Sequence, residues 1–267
     1  MKRIQMKDDW PDSWKLSYQF DLIEIYGEKN KCGHAYQYIN RMNKVIDLVK
    51  KYAKAGAKIL DVAAGQGNFS LNLAELGYKV TWNDIGEELI GYVKLKYERG
   101  EVDYHPGNAF NLNIKDEFDI VLITEVIEHV AHPDQFLKMV STFCRPKGLI
   151  IMTTPNGEYF RHHYPRFTRC KDPQSYEGLQ FRRDADGHIF FLCAEELNYF
   201  EKYADLRVIY RSFFNNFLTS GHLKTNYVLK ILPKSYIFAF EKTTAMTKGI
   251  ISRKINAHML VVFEKNA

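Results

Sequence analysis

Cysteine is scarce in this chain and is never paired in sequence. The four residues, Cys32, Cys144, Cys170 and Cys193, are widely spaced and form no CxxC, which argues against a disulfide framework and predicts a reducing, cytoplasmic setting. Long apolar runs are missing too: no uninterrupted stretch approaches the roughly 18 residues needed to span a bilayer. The opening MKRIQMKDDWPDSW is basic but no apolar segment follows it, so no export signal is expected. Low-complexity tracts and internal repeats are also lacking, which excludes a solenoid. Nor does one sign of charge dominate. The 37 Lys and Arg against 32 Asp and Glu leave +5, compatible with an anionic substrate or surface but far below the bias of a dedicated nucleic-acid binder.

What is present is bulk for a core. Of 267 residues, 46% are hydrophobic and 14% aromatic, enough for one domain over 1–267. Ile39, Met42, Val45, Ile46 and Val49 recur at helical spacing and predict an opening helix that stops near Ala55-Gly56. Strand and helix then alternate: strands at 58–62, 79–83, 102–105, 118–124 and 149–154, helices at 68–76, 87–97 and 133–143. This alternation predicts an α/β fold with a doubly wound, mostly parallel sheet. After a long loop rich in His, Arg, Tyr and Phe, a helix is expected at 194–203, with closing strands at 206–214 and 258–264. The expected organisation is a lid and helix over 1–55, a ligand-binding core over 56–155, a substrate loop over 156–192 and an insertion over 215–256 before the last of seven strands. Loops as long as 156–192 usually serve function.

The segment KILDVAAGQGNFS, residues 58–70, places an acid and two glycines between a buried strand and a helix. Glycines suit a tight bend that a ligand approaches closely, and the helix start offers free N–H groups. A dinucleotide fingerprint would have a third glycine where Ser70 stands, and Asp61 would sit badly beside a pyrophosphate. An acid there better suits a cationic ligand. Asp84, ending VTWND, can pair with two ribose hydroxyls; Asn108, in GNAF, can bond an adenine edge, with Ala109 leaving room for the ring.

These motifs, in order and at their spacing over 35–155, resemble the class I S-adenosylmethionine-dependent methyltransferases. The resemblance implies a Rossmann-like methyltransferase fold with an N-terminal helical lid. It implies S-adenosylmethionine as cofactor, bound by Asp61, Ala63, Gly65, Gln66, Gly67, Asp84, Ile85, Asn108, Ala109, Thr124 and Glu125. A tight turn at Gly65 and Gly67 and a helix cap at Asp84 would explain the same residues without a ligand.

The apolar strand FDIVLIT runs into Glu125-Val-Ile-Glu128-His129, placing ionisable groups at the carboxyl edge of a buried sheet. If a helical turn begins at Glu125, residues 125, 128 and 129 share one face. The cluster resembles the ubiquinone-biosynthesis O-methyltransferases and the small-RNA 3'-terminal 2'-O-methyltransferases, which carry Glu-x-x-Glu-His here and a later His. His188, in DGHIFFLCAEEL, stands at that later position. The resemblance implies catalytic roles for His129, Glu125 and Glu128, and a divalent site for Mg²⁺, Mn²⁺ or Zn²⁺ formed by Glu125, Glu128, His129 and His188. Three readings stay open: a metal site, a His129 general base, or a structural cluster with His188 packed beside Phe190 and Phe191.

The expected reaction is O-methylation of a small-molecule or glycan- or lipid-linked hydroxyl. An RNA 3' end is the rival acceptor, and a non-catalytic cofactor-binding protein the other class. Basic and aromatic residues alternate from Glu158 to Lys171 and suit an anionic acceptor or a solvated loop alike. Trp10, Trp14 and Tyr18 either cover the cofactor or dock on the core. VLKILPKSYIFAFEKTTAM, residues 228–246, mixes apolar residues with lysines around Pro233 and could lie on a membrane surface, cover the active site or meet a dimer partner.

Overall fold

The structure is a computed structural model that describes residues 1–27, 31–112, 114–180 and 187–266. Part of the expected substrate loop, 181–186, lies outside the described residues.

Seven strands form one sheet in the order β3-β2-β1-β4-β5-β7-β6. They are β1 (Lys58–Val62), β2 (Lys79–Asp84), β3 (Glu101–Pro106), β4 (Phe118–Thr124), β5 (Cys144–Pro155), β6 (Leu206–Asn216) and β7 (Asn256–Lys265). The first five run parallel, and β7 is antiparallel to both its neighbours. The strands are apolar on both sides because both faces are covered. On β4, Val121 and Ile123 pack with Phe136, Leu137 and Phe200 on one face, while Ile120 and Leu122 pack with Val45, Val49, Phe69 and Leu73 on the other. The helices α2 (Gly33–Tyr52) and α3 (Asn68–Glu75) supply the second group; α5 (Pro133–Ser141) and α6 (Leu197–Ala204) supply the first.

Two parts lacked a repeating pattern in the sequence. Helix α1 (Asp12–Glu24) lies at the N-terminus, held by a fully buried contact in which Lys96 Nζ donates to Asp21 Oδ2 at 2.6 Å. Trp10 and Trp14 pack edge-on to Tyr92 of α4 (Leu89–Lys96), and Trp14 Nε1 donates to the Glu88 carbonyl at 2.7 Å. Of the two roles open to these aromatics, the structure takes docking on the core. The insertion folds as α7 (Asn226–Ile231), α8 (Lys234–Ala245) and α9 (Gly249–Ile255). It is tied down by Glu241, whose carboxylate accepts the amides of Asn215 and Asn216 and the Thr219 hydroxyl.

Candidate active site

The sheet reverses its winding between β1 and β4, and open α/β sheets bind ligands at the carboxyl ends of strands at such a point. Here a cavity of about 240 Å³ is lined by Val62, Ala63, Ile85, Asn108, Ala109 and Phe136 among others. Gln180 closes one side, accepting the Ala131 amide at 3.0 Å. Four expected cofactor residues, Ala63, Ile85, Asn108 and Ala109, therefore line the same cavity. The side-chain oxygen of Asn108 caps the turn that follows by accepting the Phe110 amide at 3.0 Å.

The glycine loop is shaped by close approach. Gly67 has φ +72°, and a Cβ there would fall 2.6 Å from a Val93 methyl. Gly65 also has positive φ, and its amide donates to Asp84 Oδ2 at 2.7 Å, while Gly86 donates to Oδ1 at 2.7 Å. Asp84 is thus fixed by one backbone donor on each oxygen. Burial raises its carboxyl above the ordinary range.

Asp61 sits deeper, accepting the Ser70 hydroxyl at 2.6 Å, and burial pushes it up to about 7. It braces the start of α3. Gln66 turns outward to donate to Glu24 Oε2 of α1 at 3.0 Å, and Glu24 Oε1 lies 2.8 Å from His34 Nε2. Thr124 ends β4 opposite Thr153 of β5.

The acidic cluster does not form the single face expected of it. Glu125 has φ +56° and the following 3₁₀ turn spans only Ile127–His129, so Glu125, itself left-handed, stands outside the turn that carries Glu128. The Glu125 carboxylate swings toward α2 and β7, with Oε2 at 3.2 Å from Arg41 Nη1 and 3.3 Å from His258 Nε2. Burial would raise its pKa, but Arg41 and then His258 hold it down at about 2. Glu128 is fully buried, accepts the Thr154 hydroxyl at 3.1 Å, and is driven well above the carboxylate range by burial and by the neighbouring Glu125 charge. Among the described residues its Oε1 has no hydrogen-bond partner from another residue, and neither does Glu125 Oε1.

Ile189 donates its amide to the Glu128 carbonyl at 2.7 Å. That bond draws in His188, whose ring lies 4.8 Å from that of His129. Ligand atoms of Glu128, His129 and His188 fall within 4.8 Å of one another. The structure therefore brings together three of the four expected metal ligands and turns Glu125 away.

Sequence reasoning missed Arg41 and His258, the partners of Glu125. Arg41 lies within a helix of ordinary amphipathic pattern and gives no signal. His258, entering the apolar run MLVVF, is a polar residue in a buried strand and could have been flagged. Also missed were Asn156 and Glu158. Asn156 Nδ2 donates to the Arg253 and Asn256 carbonyls at 2.6 and 2.7 Å, and Arg253 bonds Glu158 Oε1 at 3.1 Å. These join the end of β5 to the insertion.

A sequence profile of the family described as "Methyltransferase domain" matches residues 34–210. The chain belongs to that family, whose enzymes are S-adenosylmethionine-dependent methyltransferases. Among curated relatives, a ubiquinone biosynthesis O-methyltransferase of Aromatoleum aromaticum is 35% identical over 109 residues, 39% of this chain and 47% of the relative. A mitochondrial protein of the same name from Dictyostelium discoideum is 27% identical over 191 residues, 61% and 56%. The chain spans about half the length of the curated relatives it matches. In fold it is similar to an S-adenosylmethionine-dependent methyltransferase from Mesorhizobium loti, with TM-score 0.55, 12% identity, and coverage of 86% of this chain and 98% of the other. It is also similar to the [4+2]-cyclase SpnF, with TM-score 0.53, 14% identity, and coverage of 84% and 81%. The fold alone therefore does not define the reaction.

Proposed function

We propose that this chain transfers a methyl group from S-adenosylmethionine to a hydroxyl oxygen of a small-molecule, glycan or lipid-linked acceptor, preferentially one with adjacent hydroxyls, with a divalent cation at Glu128, His129 and His188. The observation that carries the reading is the convergence of those three side chains just beyond β4, next to the cavity at the switch point. The curated relatives named O-methyltransferases support oxygen as the acceptor atom.

When bound, S-adenosylmethionine supplies an electrophilic methyl group and a divalent ion lowers the pKa of an acceptor hydroxyl. The residues present suit both. Each Asp84 oxygen, fixed by one backbone N–H, retains acceptor capacity for a ribose hydroxyl, and Ala109 leaves the cavity wall low for a flat ring. One carboxylate and two imidazoles form a donor set that transition metals and zinc accept. The buried, unpartnered Glu128 oxygen is the kind of atom a cation would satisfy. Glu128 is oriented by Thr154, and His188 by the bond from Ile189 to the Glu128 carbonyl. Methyl transfer is an in-line displacement, so these residues have to align the acceptor oxygen and help remove its proton: with a cation held by His129 the hydroxyl is acidified there, and without one the free His129 imidazole takes the proton.

The test is transfer of labelled methyl to catechol, sugar and RNA 3'-end acceptors, with and without chelator. Turnover on the catechol or sugar that is lost in chelator and restored by Mg²⁺, Mn²⁺ or Zn²⁺ is the expected result. Full turnover in chelator would remove the metal and leave His129 as base. Turnover on RNA alone would replace the acceptor class. Uptake of S-adenosylmethionine with no turnover on any acceptor would favour the non-catalytic class.

A further inference from the structure

The insertion presents its apolar residues outward. On α7, Tyr227 and Ile231 are 69% and 83% exposed, while Leu229 between them packs with Tyr36 and Ile237. On α8, Tyr236 is 68% exposed, and on α9 Ile250 and Ile251 are 72% and 64% exposed. A soluble surface scatters such residues singly; here three consecutive helices each carry them. Their charge is equally one-sided. Residues 215–256 hold seven Lys and Arg and one acid, Glu241, a balance of +6 against +5 for the whole chain. The insertion therefore accounts for the net positive charge and the rest of the protein is near neutral. Glu241 is buried against the amides of Asn215 and Asn216, so its carboxylate is turned inward while the lysines of the insertion are exposed.

We propose that this insertion docks the protein onto an anionic lipid surface, with the exposed side chains of α7, α8 and α9 entering the interface and Lys224, Lys230, Lys234, Lys242, Lys248 and Lys254 meeting lipid phosphates. Outward apolar residues combined with a lysine surround are what an interfacial segment needs: area to bury and opposite charge to attract. Among the described residues no helix is long and apolar enough to cross a membrane, so the contact is peripheral. An acidic protein partner would match the charge alone; the exposed isoleucines and tyrosines also need apolar area to enter, which a lipid interface supplies. The position is consistent with access to the site. Tyr159 of the substrate loop hydrogen-bonds His222 at 2.8 Å, the Phe160 amide donates to the Lys254 carbonyl at 3.1 Å, and α9 leads directly into β7 and His258 beside Glu125. The docked face would adjoin the catalytic edge. This inference stands on the surface itself and is independent of the acceptor proposed above.

The experiment is co-sedimentation of the full chain with vesicles of phosphatidylcholine alone and of phosphatidylcholine mixed with phosphatidylglycerol, at low and high salt. Binding is expected only to the anionic vesicles, weakened by salt, and roughly fivefold weaker for each lysine replaced by glutamine. The variant Ile231→Asp/Ile250→Asp/Ile251→Asp should lose sedimentation while retaining S-adenosylmethionine uptake by calorimetry, which shows the core intact. No sedimentation of the parent protein, or unchanged sedimentation of that variant, would overturn the proposal. Light scattering that finds a dimer dissolved by the same substitutions would overturn it in favour of a second copy of the chain.

Discussion

The amide of Ile189 donates to the carbonyl of Glu128 across 2.7 Å, the Phe190 amide reaches the same oxygen at 3.4 Å, and this pairing sets His188 against His129. The contact joins two segments far apart in sequence at the carboxyl edge of β4. Removing the His188 imidazole therefore leaves the strand, the turn and the cavity standing. His188→Ala is expected to weaken divalent-ion binding by on the order of 100-fold while S-adenosylmethionine uptake is retained. Isothermal titration with Mn²⁺ and with the cofactor separates the two, and unchanged Mn²⁺ binding would exclude His188 as a ligand.

Arg41 compensates a buried carboxylate. Arg41→Met leaves Glu125, 19% exposed, with His258 as its remaining cationic partner, a loss of roughly 1–3 kcal/mol in unfolding free energy. Adding Glu125→Gln removes the charge that was left unpaired and should recover most of that loss. Urea denaturation of the two variants reads the difference; equal stability of the single and double variants would show that the pair is not coupled.

Gly67 is required twice, by its left-handed backbone and by the nearness of Val93. Gly67→Ala should cost about 1–2 kcal/mol for the backbone conformation, with a further steric loss of similar order. Trimming the neighbour with Val93→Ala in that background should relieve the steric part alone. A thermal melt series over the four proteins tests the separation.

Asp61 gives the pH dependence a sign. Its folded carboxyl keeps a proton up to about 7, against an ordinary 3.8, so between those values the folded state binds more protons than the unfolded one. Stability from this group is complete below the lower value and is lost as pH rises through the upper one. Asp61→Asn cannot ionise and still accepts from Ser70. The decline in urea midpoint from about pH 4 to about pH 7 should therefore flatten, by an amount worth about a few kcal/mol at most. An unchanged slope would assign the pH dependence elsewhere.

Much of the sheet was legible because buried parallel strands are apolar throughout and stop abruptly. FDIVLIT predicted 118–124, which is the observed β4. The strand at 149–154 was underestimated because β5 extends back to Cys144 through charged residues that pattern reading assigns to a loop. Within the insertion no element was assigned from the sequence, and it forms three helices, since Pro233 and Gly249 divide it into pieces too short to show a period. At the site, Ala63, Ile85, Asn108 and Ala109, which the resemblance implied as cofactor residues, line the cavity at the switch point. The grouping of Glu125 with Glu128 failed because a left-handed residue cannot be read from the letters Glu-Val-Ile-Glu-His.

The sequence by itself determined the strand-helix alternation, the turn at the glycines and the supply of Glu, Glu and His at a strand end, because these depend on local backbone preference and on burial of nearest neighbours. Tertiary structure alone decided that Glu125 would face Arg41 and His258, that His188 would join Glu128 and His129, and that apolar residues of the insertion would face solvent. Each of those outcomes is set by which distant segments share a layer, and the energy of burying or pairing a charge depends on that arrangement rather than on the residue's neighbours in the chain.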